Sequence, residues 1–66
     1  MNKYKLIEIM KRHHDRQEDL AKAIGISRTR FGAKINGRAF FTQPEIFAIK
    51  TRYLLSAEQL DEIFFS

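Results

Sequence analysis

Sixty-six residues suffice for one domain, and a domain this small leaves much of its surface exposed, so modest stability on its own is expected. The net charge of +4 favours an anionic partner, while the absence of cysteine excludes a disulfide framework and a thiolate metal site and fits a reducing cytoplasm. No apolar run approaches the roughly 20 residues that cross a bilayer, and MNKYKLIEIMKRHH lacks the continuous apolar stretch of a signal peptide, so an intracellular chain with no membrane partner is expected.

Asn2 is placed to cap a first helix running to about His13, with Leu6, Ile9, Met10 and His13 on one face and Lys3, Lys5, Glu8, Lys11 and Arg12 outside. On a helix the side chains of His13 and His14 diverge by about 100°, so they cannot share one metal and read as helix-end residues. Asp15 is the expected N-cap of a second helix opened by Arg16 and Gln17, with Glu18 and Asp19 in the first turn, where the helix dipole favours acids. Leu20, Ala21 and Ile24 make its apolar stripe. Gly25 follows at once, at a position where a helix stop needs positive φ. Ile26 sits at the tip of that turn, and Ser27 caps a third helix by accepting from the N–H of Thr29 or Arg30. In it Phe31 and Ile35, at i and i+4, can pack on Leu20, Ala21 and Ile24, and the small Ala21 permits a close approach.

The opposite face of this third helix carries Thr29, Ala33, Arg30 and Asn36, with Gly32 and Lys34 on its flanks. That face is small and polar, so a groove can come near its backbone. Arg28 lies closer to the buried side by angle, but in the first turn its long side chain can project past the helix end. Arg28 and Arg30 occupy the positive end of the helix dipole, where each is unfavourable by about 0.3–1 kcal/mol if no anion is bound. The arrangement suits phosphates and base acceptors; two solvated arginines are the bland alternative.

Asn36-Gly37 ends the third helix, and Arg38 follows in a loop suited to lie along a phosphate backbone. Phe40 and Phe41 are expected as core and loop-packing residues rather than base wedges. Thr42-Gln43-Pro44-Glu45 has the form of a capping box and starts a fourth helix running to about Tyr53, with Ile46, Ala48, Ile49 and Tyr53 buried and Phe47 partly exposed. Ser56-Ala57-Glu58-Gln59 repeats the capping pattern, and Leu60, Ile63 and Phe64 give a short fifth helix its apolar side. Five helices without a strand signal predict an all-α fold. No repeat, low-complexity tract or flexible linker interrupts them, so one domain over 1–66 is expected, with no second domain for ligand sensing or self-cleavage. From Ser27 to Arg52 six bases (Arg28, Arg30, Lys34, Arg38, Lys50, Arg52) meet Glu45 alone, whereas Ala57 to Ser66 holds Glu58, Asp61 and Glu62 and no base. The middle of the chain would attract a polyanion.

The segment Gln17 to Asn36, QEDLAKAIGISRTRFGAKIN, resembles the helix-turn-helix of phage lambda-type repressors and Cro proteins. The likeness lies in Gln17 opening the first helix, Ala21 and Gly25 four apart, Phe31 and Ile35 in the second, and Gly32-Ala33 and Asn36-Gly37 towards its end. With KING at Lys34 to Gly37 and EIFF at Glu62 to Phe65, it extends over nearly all the chain to small Cro-like phage proteins of Gram-positive hosts. In many of those relatives the position of His14 is a glycine stop. The resemblance implies a compact five-helix bundle of the lambda repressor-like type, with the helix-turn-helix in helices 2 and 3. It implies a cytoplasmic, bacterial-host repressor without cofactor, reading double-stranded operator DNA in the major groove with Arg28 to Ile35. Base edges would be read by Arg28, Thr29 and Ala33, and phosphates held by Gln17, Ser27, Arg30, Asn36 and Arg38.

An enzyme is not expected, since there is no glycine-rich phosphate loop, no cysteine and no Ser, His and acid set that helical spacing brings together. The alternative to a repressor is a protein-interaction module that binds a phage repressor and alters its DNA occupancy. Phe64 and Phe65 point about 100° apart on a helix, so both cannot face the interior. The ring left outside is expected to join two copies in a two-fold dimer, at least on DNA, that reads a palindrome about 34 Å apart, unless it folds back onto the first helix.

Overall fold

The computed structural model describes residues 1–65 as α1 (Lys3–Arg12), α2 (Gln17–Ala23), α3 (Arg28–Ile35), α4 (Gln43–Tyr53) and α5 (Ala57–Phe64), with no strand among the described residues. Short polar side chains open most of these helices. The Ser27 hydroxyl accepts from the Arg30 N–H at 3.1 Å, and Asn2 and Thr42 cap α1 and α4 in the same way. At Thr42 and Ser56 the bond is returned: Glu45 Oε1 accepts from the Thr42 N–H at 2.8 Å and Gln59 Oε1 from the Ser56 N–H at 2.9 Å.

The second helix departs from expectation. Its N-cap is Arg16, whose N–H donates to Asp19 Oδ2 at 2.8 Å, and Asp15 does not cap it. The Asp15 carboxylate is engaged elsewhere, accepting both guanidinium bonds of Arg52 at 2.9 Å and the Tyr53 hydroxyl at 2.7 Å. A capping position one residue early in the sequence thus becomes the tie between the α1–α2 junction and the end of α4. Arg52 holds the Asp15 carboxyl below its ordinary range, against the opposing effect of burial and with help from Tyr53. Burial first, and then the bond to Asp15, pushes the Tyr53 hydroxyl well up.

Four helices end alike. At α3 the Arg38 N–H donates to the Ala33 carbonyl at 2.8 Å and the Gly37 N–H to the Lys34 carbonyl at 3.2 Å, the paired bonds of a Schellman stop. The same pairs close α1 through His14 and Asp15, α2 through Gly25 and Ile26, and α4 through Leu54 and Leu55. This stop needs left-handed backbone. Gly37 supplies it at φ 83°, but His14 at 57° and Leu54 at 52° carry a Cβ there, which costs about 1–2 kcal/mol each.

Every helix contributes to one core, made of Leu6, Ile9 and Met10, Leu20 and Ala21, Phe31 and Ile35, Ile49 and Tyr53, and Ile63, with Leu55 from the α4–α5 connection. Among the described residues no polar or charged side chain is buried in it. α2 packs on α3 and α1 on α5, and the Asn2 N–H donates to the Ile63 carbonyl at 2.7 Å. Phe41 stands edge-on to Phe31 and to Phe64, both at 5.7 Å, which carries the core from α3 to α5.

Two packing expectations are corrected. His13 is exposed, its ring tilted against Tyr53 at 4.9 Å, because α1 stops at Arg12 and the left-handed His14 swings the chain away. Phe40 is 93% exposed and does not pack in the core or loop: Phe41, the next residue, fills the space between Phe31 and Phe64.

Candidate nucleic-acid interface

Most of the residues singled out around α3 are exposed. Arg28, Thr29 and Arg30 form the exposed first turn of α3, and Ala33, half-buried, lies one turn further along. Ser27 is exposed with its hydroxyl committed to the cap, and Asn36 and Arg38 are exposed at the opposite end of α3. Gln17 is half-buried as the first residue of α2. The Schellman bond from the Arg38 N–H fixes the backbone from which the Arg38 side chain departs.

Charge pairing sorts the basic residues of this region. Lys34 is withdrawn from solvent, with 13% of its side chain exposed, in an ion pair with Glu45, itself 11% exposed. Burial pushes the Glu45 carboxyl up, but its bonds to Lys34 and the Thr42 backbone win, and it is held below its ordinary range. Arg52 is bound to Asp15, at 2.9 Å. Arg28, Arg30, Arg38 and Lys50 have no acidic partner among the described residues. The six bases counted from the sequence therefore divide into two that hold the fold together and four left with unneutralised charge.

The first turn of α3 sharpens this difference. α2, α4 and α5 each carry an acid in the first turn, as the helix dipole favours, whereas α1 and α3 carry none: α1 has Lys3 and Lys5 there, and α3 has Arg28 and Arg30. With Asn36 at the far end, Lys3 of α1 reaches across and its Nζ donates to Asn36 Oδ1 at 3.3 Å. That cation escaped sequence reasoning. Thirty-three positions separate the pair, and only the packing of α1 beside the end of α3 brings them together.

The two C-terminal aromatics part company. Phe64 is half-buried against Phe41, while Phe65 keeps 66% of its surface exposed. Among the described residues no three His, Asp or Glu side chains gather as a metal site, and no helix is long and apolar enough to cross a membrane. No protein-family model matches the chain, and no curated protein or solved structure matches it.

Proposed function

We propose that this chain is a sequence-specific double-stranded DNA-binding repressor of the Cro-like type, with α2 and α3 acting as a helix-turn-helix. The single observation that carries the reading is the set of exposed, unpaired arginines at the two ends of α3, on a chain that pairs its neighbouring Lys34 and Arg52 internally. Two cations at the positive end of a helix dipole are unfavourable until an anion arrives, and a duplex presents phosphates and guanine acceptors together. α3 enters the major groove in this reading. Arg28 bonds O6 and N7 of guanine, the methyls of Thr29 and Ala33 touch thymine, and Gln17, Ser27, Arg30, Asn36 and Arg38 lie along phosphates. The capped Ser27 and the Lys3-bound Asn36 keep acceptor atoms engaged, so Arg30 and Arg38 supply most of the electrostatic attraction. Occupying an operator would exclude polymerase or a competing repressor.

The reading is tested with a duplex selected for tight binding from a random library. Arg28→Ala should lose about 1–3 kcal/mol on that duplex and relax the preference at one base pair of each half-site, with less effect on random DNA. A uniform loss across all sequences would make Arg28 a backbone contact. A second reading, a module that binds a phage repressor, is favoured by a separate observation, the exposed apolar side chains of Phe47, Leu54 and Phe65. A protein that captures such a repressor while leaving every duplex unbound would support it over the first.

A further inference from the structure

Phe40 is the most exposed large apolar side chain among the described residues, at 93%. It lines neither the hollow between α4 and α5 nor the one beside Phe47 and Leu54, so it stands apart from the apolar side chains there. A single exposed ring on a surface ordinarily needs no explanation. This one differs in how firmly it is held out and in what surrounds it.

The chain is fixed on both sides of the ring. Before it, the Arg38 N–H is bound to the Ala33 carbonyl at 2.8 Å. After it, Phe41 stands edge-on between Phe31 and Phe64, and the Thr42 N–H is bound to Glu45 Oε1 at 2.8 Å. Phe41 fills the space beside those two rings, so Phe40 has no place in the core to fold back into. The backbone beneath Phe40 is already ordered, and a contact made by its ring costs side-chain freedom alone.

The surroundings of the ring are polar and cationic. Asn36 to Phe40 is exposed throughout, no acid occurs between Lys34 and Glu45, and Glu45 is taken by Lys34. Arg38 keeps its charge, having no acidic partner among the described residues. Its Cα lies within about 7 Å of the Phe40 Cα, the most that two residues of chain can span. An anion gripped by Arg38 is therefore within reach of the ring. A free inorganic ion would leave that ring in water. A nucleic-acid strand would not, because each phosphate is joined to a sugar whose carbons offer apolar surface beside the charge. We propose that Phe40 is a further DNA contact, its ring packed on a deoxyribose next to the phosphate held by Arg38. The contact rests on the duplex-binding reading of α3 and adds an apolar component to it. Covering apolar surface releases no counterion, so Phe40 raises affinity without steepening the salt dependence. Sugars carry no sequence information, so it does so on every sequence alike.

Fluorescence anisotropy with a labelled random-sequence duplex, over a series of salt concentrations, tests the proposal on the full chain. Phe40→Ala should weaken binding about five- to tenfold at every salt concentration, the worth of covering about half of one phenylalanine side chain. Its slope of log K against log salt should equal that of the wild type, whereas Arg38→Ala should make the slope shallower by about one. Phe40→Leu, which keeps apolar bulk, should recover most of the lost affinity. Circular dichroism confirms that each variant is folded. A folded Phe40→Ala variant that binds the duplex as tightly as the wild type overturns the contact and leaves the DNA reading standing. The same holds if that variant loses binding only to vesicles of anionic phospholipid, which would assign the ring to a membrane surface. A loss that comes with a shallower slope overturns the apolar contact, and a wild type that leaves the duplex unbound at low salt overturns the reading and the contact together.

Discussion

Leu54→Gly isolates a backbone effect from a packing effect, because the leucine side chain buries little of itself. Left-handed backbone costs a residue with a Cβ about 1–2 kcal/mol, which glycine escapes. Glycine returns about 0.4–1 kcal/mol of that through the larger entropy of its unfolded state. The monomer should therefore gain about 0.5–1 kcal/mol, or roughly 2–8 °C in Tm for a domain of this size. His14→Gly should gain less, because histidine tolerates this region better than leucine does. Gly37→Ala is the converse. A Cβ built there meets no atom within 4 Å, so its cost is conformational alone, about 0.5–1 kcal/mol once the unfolded-state entropy that alanine saves is set against the left-handed backbone. The assay is calorimetry and urea unfolding at concentrations low enough to keep the chain monomeric, with an unchanged m-value as the control. A neutral or destabilised Leu54→Gly monomer would refute the reasoning, since it would mean that the leucine packs or that its φ is not left-handed.

Acid should unfold the protein partly through Asp15 and Glu45. Both carboxyls are held below their ordinary values of 3.8 and 4.5 in the folded state, so their contribution is complete above those values and is lost as pH falls below them. Asp15→Asn should cost about 1–2 kcal/mol near neutral pH, the lower part of the range for charged hydrogen bonds because Arg52 remains partly solvated, and should flatten the acid limb of a stability-against-pH curve. An acid limb unchanged in that variant would remove the Asp15–Arg52–Tyr53 tie from the account. Phe40→Ser should leave urea stability within about 0.5 kcal/mol, as for other exposed positions; a loss several times larger would return Phe40 to the core.

The helix count, the caps at Asn2, Ser27, Thr42 and Ser56 and the stops at Gly25 and Gly37 were legible because each depends on residues within one turn of one another. So were the buried faces of α2 and α3, set by a period of about 3.6 residues. What escaped depends on tertiary packing. Asp15 caps nothing because Arg52 and Tyr53, 37 and 38 positions away, claim its oxygens. Lys34 looked like part of the basic surface, yet Glu45 takes its charge. Phe40 and Phe41 are indistinguishable as adjacent aromatics, and only the space beside Phe31 and Phe64 decides which one turns inward. The stop at Leu54 carries no glycine to mark it, so local chemistry gives no sign of it.

That the unpaired arginines around α3 meet a duplex, with Arg30 and Arg38 on its phosphates, is put to the test by the salt dependence of binding to a random-sequence duplex. Wild type is compared with a variant in which Arg28, Arg30 and Arg38 are all alanine, circular dichroism confirming that the variant remains helical. The wild type should bind at low salt with a negative slope of log K against log salt. In the variant that slope should be shallower by about one for each phosphate contact removed. A wild type that leaves the duplex unbound at low salt, or a folded variant with the wild-type slope, would contradict the account.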